Sequence, residues 1–133
     1  MYVIYKMNIF LVFFSLFVIT LIVSIPFSYL YRSSENYIEN VQHTKMVLNY
    51  KSGVSSIMLC LIMIFALWYC VIKRNGGGID AFFLGVVMTA YSEFTTALMF
   101  TEWPLRIVFK DTLVGGTIFS LVTIIYNSIF SVK

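Results

Sequence analysis

The chain has 133 residues, of which 60% are hydrophobic and only 11% charged, and its mean hydropathy is +0.91. That balance belongs to membrane proteins, because nine basic and six acidic residues cannot clothe a soluble domain of this size when most of them sit in a few short stretches. The net charge of +3 does not point to nucleic acid: Lys6, Arg32, Lys45, Lys51, Lys73, Arg74, Arg106, Lys110 and Lys133 punctuate the apolar runs as headgroup anchors and form no basic patch.

The first apolar run, residues 9–30, carries no internal charge. As a helix it measures about 33 Å, enough for a hydrocarbon core of about 30 Å. Lys6 ahead of it makes a cleaved signal peptide the competing reading. The run is longer than the usual apolar region of about 7–15 residues and no small-x-small site follows, so a retained span is expected. Pro26 predicts a kink or the point where the helix leaves the hydrocarbon. Residues 32–52 form the polar loop, in which Glu35, Glu39, His43 and Lys45 alternate with Tyr37, Ile38, Val41, Val47 and Leu48. The loose helical spacing places it in the headgroup zone or makes its latter part an extension of the next helix.

The second run, 53–72, ends at Lys73, Arg74, Asn75 and three glycines, the composition of a tight turn. A phosphate-cradling loop would need a G-K-[ST] ending that is missing here. Trp68 and Tyr69 fall at interface level on this side. The third run, 81–100, is interrupted by Glu93 and closes at Glu102, Trp103 and Pro104. The fourth, 112–130, starts behind Lys110 and Asp111, which places the Asp111 carboxylate near a helix N-terminus, where the dipole favours it. The predicted fold is all-α: a transmembrane bundle of four antiparallel helices in a single domain, 1–133, with both termini on one side of the membrane. Orientation is weakly encoded, four cations on the terminal side against five on the other; the Lys73–Arg74 pair leans the termini towards the cytoplasm.

Cys60 and Cys70 are ten residues apart, about 15 Å along one helix, so they cannot pair with each other. His43 is the only histidine, and no spacing suggests a metal or a cofactor. Helix packing in lipid relies on small residues and polar contacts. Gly85, Thr89, Ser92 and Thr96 form such a stripe on the third helix, with Glu93 on its margin. Gly116, Ser120, Thr123 and Asn127 form one on the fourth, and the two stripes are expected to face each other or the bundle axis.

Glu93 is the sharpest feature, since an ionised carboxylate in hydrocarbon must be paired, protonated or hydrated. It serves either as a proton or cation site or as hydrogen-bonding glue between helices, and the second reading is preferred. No acid, base or histidine partner is evident at its depth, so catalysis is not expected. A lipid-directed enzyme built on Glu102, Arg106, Lys110 and Asp111 is a residual reading, because such residues more often make a solvated turn.

Residues 81–125 resemble a family of small four-helix membrane proteins catalogued as domain of unknown function 2177, whose pattern runs Y-D-L-T-N, then W-P, then D-x-x-W-G. The counterparts here are Ser92, Glu93, Phe94, Thr95 and Thr96, then Trp103 and Pro104, then Asp111, Val114 and Gly115. Glu93 keeps an acid on a longer arm, whereas Ser92, Thr96 and Val114 replace the family's tyrosine, asparagine and tryptophan. The resemblance implies a four-helix fold and a source among bacteria or large DNA viruses with an internal membrane; it implies no activity. The expected function is therefore a structural or assembly role in a cellular or virion membrane, with the lipid bilayer and other membrane or capsid-type proteins as partners and an oligomer compatible with it. A proton, cation or solute transporter or channel subunit using Glu93 is the alternative.

Overall fold

The computed structural model describes residues 8–30, 50–100 and 103–130. The described chain is helical: α1 (Ile9–Leu30), α2 (Tyr50–Cys70), a short 3-10 turn (Ile72–Arg74), α3 (Gly78–Met99) and α4 (Leu105–Phe130). Most of the polar loop, together with Lys6, Glu102 and Lys133, lies outside the described residues.

Helix α1 coincides with the first apolar run and continues through Pro26. A proline there has no hydrogen to give to the Ile22 carbonyl, so the last turn holds with one hydrogen bond fewer. Helix α2 starts at Tyr50, so the end of the polar segment does extend the second run. It stops at Cys70, and the chain tightens through the 3-10 turn to Asn75, which adopts the left-handed conformation at φ 56°. Asparagine tolerates that region better than most residues. The Gly76 amide closes the turn on the Val71 carbonyl at 2.8 Å.

Two boundaries differ from the expectation, each for a local reason. Helix α3 begins at Gly78 and not at residue 81, because the Asp80 carboxylate reaches back to accept the Gly77 amide at 2.9 Å and stabilises the first turn. Helix α4 begins at Leu105 and not at residue 112. Pro104 lies just before its first turn, and the Pro104 carbonyl accepts the Ile107 amide at 2.9 Å. Proline is favoured at a helix start because its missing N–H would have been an orphan there. Asp111 consequently stands in the second turn of α4, past the reach of the terminal dipole, and the N-terminal placement read from the sequence is corrected.

The most extensive contact joins α3 to α4, followed by α1 with α4 and then α1 with α2; α2 meets α3 only lightly. Helix α4 is thus the central strut. The core is a set of helical stripes: Val12, Leu16, Ile19 and Val23 on α1, Ile64, Leu67 and Val71 on α2, and Val108, Thr112, Gly116, Phe119, Val122 and Tyr126 on α4. Each repeats at three or four residues, one face of a helix.

The outward faces are equally apolar. Phe10 is 79% exposed, Leu98 86% and Val87 66%, on α1 and α3. Water would drive such surfaces to aggregate, whereas hydrocarbon solvates them. All four helices are long and apolar enough to cross a membrane by length and composition.

Candidate functional site

Helices α3 and α4 approach closely because both are pared to glycine where they cross. A Cβ placed on Gly85 would stand 2.7 Å from the Gly115 carbonyl oxygen and 2.9 Å from the Gly116 Cα, so backbone lies directly against backbone. A Cβ on Gly115 would strike the Thr89 side chain, and one on Gly116 would come within 2.7 Å of Val86. Such contacts let dispersion hold helices together where lipid provides no hydrophobic drive.

The contacts also set the register. Asn127 Nδ2 donates to the Gly76 carbonyl at 3.4 Å, Gly78 lies against Ile124 and Ser120, Thr89 against Gly115, and Phe94 meets Phe109 edge-on with centroids 6.3 Å apart. Numbers rise along α3 as they fall along α4, so the two helices form a hairpin, α3 ending at Met99 and α4 starting at Leu105. One helical turn beyond the Thr89–Gly115 contact, the same register brings Glu93 to the level of Asp111.

Glu93 is half-buried, and the Trp103 indole N–H donates to its Oε2 at 3.3 Å. Asp111, also half-buried, lies close enough for the two carboxylates to repel each other, and Lys110 beside it supplies an opposing positive field. The Asp111 Oδ1 and the hydroxyl of Thr112 are buried without a hydrogen-bond partner. Six residues separate Glu93 from the end of α3, and six separate Asp111 from the start of α4. The acid pair therefore sits about 9 Å inside the end of the hairpin that carries the turn.

The other residues singled out in the sequence distribute unevenly. Gly85, Thr89, Gly115 and Gly116 meet at the crossing, Ser120 lies beside Gly78, and Asn127 fastens the glycine turn. Thr123 is fully buried with its hydroxyl unpartnered. Ser92 is exposed; the Thr95 and Thr96 hydroxyls donate to the Tyr91 and Ser92 carbonyls of their own helix, at 2.7 and 3.0 Å, and do not reach across. Trp103 and Pro104 make the turn, the first bonding Glu93 and the second starting α4.

Two features escaped the sequence reading: the convergence of Asp111 on Glu93, and Thr112. Their signal was the Trp-Pro pair, which starts α4 early and places Asp111 four residues before Gly115, on the same helix face. Among the described residues no group of three or more histidine, cysteine or acidic side chains is gathered as a metal site, and the cysteines are free thiols.

No family model, curated protein or solved structure matches the chain. Glu93 and Trp103 meet at one end of the α3–α4 hairpin, where Asp111 also lies.

Proposed function

We propose that the chain is a multi-pass membrane protein whose four helices cross the bilayer in alternating directions, and that it serves as a structural or assembly component of a cellular or virion membrane, held there by partner proteins. The observation that carries this reading is the unequal packing. The α3–α4 hairpin is joined backbone to backbone, while α1 and α2 lean on it lightly and every helix keeps a broad apolar face outward. A rigid hairpin with loosely held companions suits a part that neighbours complete. The Lys73 ammonium, 5.5 Å from the Trp68 ring centroid and 5.1 Å from that of Tyr69, has the character of an interface anchor. With Arg74 beside it, that loop and both termini are read as cytoplasmic.

Cross-linking in the native membrane, followed by co-purification, tests the role. Stoichiometric recovery with fixed neighbours is expected, unchanged in Glu93→Gln. A bundle that diffuses alone refutes it.

The convergence of Asp111 on Glu93 favours one second reading, a proton- or cation-translocating subunit. Flux into proteoliposomes that disappears in Glu93→Gln is its test, and flux equal in the two proteins eliminates it.

A further inference from the structure

We propose that Lys73 and Arg74, with the ring cluster of Phe13, Phe65, Trp68 and Tyr69, form a binding site for an anionic phospholipid, its phosphate on the cations and an acyl chain along the rings. The inference rests on the chain lying in a membrane and concerns which lipid it holds there.

The site is built where α2 ends. Val71 and Ile72 are buried, which docks the 3-10 turn into the bundle and leaves Lys73 and Arg74 exposed at its rim. Phe65, Tyr69 and Lys73 follow one another at intervals of four, a row of about 12 Å that runs along α2 to its end. The Phe65 and Tyr69 rings lie 14° from parallel with centroids 6.1 Å apart, and Phe13 of α1 continues the array beyond Phe65 at 14° and 6.5 Å. Trp68 touches all three, its centroid 5.4 Å from Phe13, 6.1 Å from Phe65 and 6.4 Å from Tyr69. Helices α1 and α2 thus share one aromatic wall, and the exposure of Phe65 and Tyr69 turns it outward. At the end of the wall the Lys73 ammonium stands 5.5 Å from the Trp68 centroid and 5.1 Å from that of Tyr69.

Chemistry then selects the ligand. Ring faces fix an ammonium without giving its hydrogens an oxygen, so Lys73 is held in place with donors still to satisfy. A phosphate satisfies them, and the guanidinium of the next residue can add a paired contact to the same group. The start of α3 does not draw the anion away, because the Gly77 amide already donates to the Asp80 carboxylate at 2.9 Å and the Gly76 amide to the Val71 carbonyl at 2.8 Å. A free phosphate would meet the cations and leave the rings uncovered, whereas a neutral chain would cover the rings and leave the cations without an anion. An anion joined to a hydrocarbon chain complements the whole row. The headgroup class follows from the same rings: choline is a quaternary cation that seeks aromatic faces, and here Lys73 occupies them, so a net negative headgroup such as that of phosphatidylglycerol is preferred over phosphatidylcholine.

The test is native mass spectrometry of the full chain, released from detergent micelles titrated with phosphatidylglycerol or phosphatidylcholine of identical acyl chains. One saturable phosphatidylglycerol adduct is expected, formed at concentrations about fivefold lower than the phosphatidylcholine adduct, the effect of one basic residue at an anionic surface. Lys73→Gln should abolish the preference and Lys73→Arg should keep it. Tyr69→Leu, which retains apolar surface without a ring, should weaken it. Arg106→Gln removes the same charge at the opposite end of the bundle, since the Gly76 turn bonds Asn127 near the other end of α4, and should leave the preference intact. The proposal is overturned if the two lipids bind alike, if Lys73→Gln keeps the preference, if Arg106→Gln abolishes it as fully as Lys73→Gln, or if inorganic phosphate displaces the lipid. Equal binding of the two lipids removes this site and leaves the assembly role standing, because cross-linked neighbours are scored independently; a chain that stays soluble without detergent or lipid removes the membrane reading itself.

Discussion

Gly85→Ala tests whether the α3–α4 crossing holds the hairpin together. The added methyl would sit 2.7 Å from a carbonyl oxygen and 2.9 Å from two carbons, Gly116 Cα and Phe119 Cβ, against ordinary contacts of about 3.5 Å or more. Two of those three atoms are backbone, so no side-chain rotation relieves the overlap and the helices must part by several tenths of an ångström. Overpacking of this kind costs about 1–3 kcal/mol, and the immovable neighbours argue for the upper half of that range. Removing a glycine from a helix interior returns about 1 kcal/mol, leaving a net loss of about 1–2 kcal/mol. Gly53 is the internal control: it also lies within a helix, but a Cβ there meets nothing within 4 Å, so Gly53→Ala should be neutral or stabilising by up to about 1 kcal/mol. Reversible unfolding in mixed micelles, read by tryptophan fluorescence, should separate the two variants by about 1–3 kcal/mol, the sum of these opposed effects. If Gly85→Ala proved as stable as Gly53→Ala, the crossing would not be the close backbone contact described.

Trp103→Phe keeps an aromatic ring at the turn but removes the donor to Glu93, and should destabilise the hairpin by about 1–3 kcal/mol in the same assay, the range for a hydrogen bond to a charged or half-buried group. Asn127→Leu frees the Gly76 carbonyl and should cost about 1 kcal/mol, with faster amide exchange at residues 75–77 as the local readout. Asp80→Ala removes the side chain that holds the Gly77 amide and should cost about 1 kcal/mol, with fraying confined to the first turn of α3. Thr123→Val deletes a buried hydroxyl that has no partner and preserves shape, so unfolding should be unchanged or shifted upward, and a clear loss would mean the hydroxyl is engaged.

The helical class was legible because composition and unbroken apolar runs survive any error in detail; residues 9–30 needed no other signal. The boundaries that failed did so at short-range chemistry. An apolar-run criterion starts α4 after its last charges, at residue 112, whereas the helix is started by Pro104 and accommodates Arg106, Lys110 and Asp111 in its first two turns. That error hid the acid pair, since Asp111 placed outside a helix has no face to share with Gly115. The small-residue stripes were legible in their glycines and less so in their hydroxyls. A glycine at a crossing has only its absence of side chain to offer, but a serine or threonine can turn to its own helix, as Thr95 and Thr96 do, or face outward, as Ser92 does. Spacing reports which face a residue is on; the partner its hydroxyl finds depends on rotamers that spacing does not encode.

The position of the acid pair also bears on what it does. Glu93 and Asp111 lie about 9 Å from the turn end of a hairpin whose α3 alone is about 33 Å long, so most of the hairpin's length lies beyond them. An ion travelling onward between α3 and α4 would next meet the crossing of Gly85 on Gly115 and Gly116, where there is no room even for a methyl group. Beyond it the buried hydroxyl of Thr123 and the Asn127 clamp lie on the far side of a closed contact. Between α3 and α4 the hairpin therefore offers no continuous path from Glu93 and Asp111 to its other end. Conduction through this hairpin is thus contingent on opening the contact that Gly85→Ala would loosen, and a hairpin closed in this way suits a static part better than a conduit.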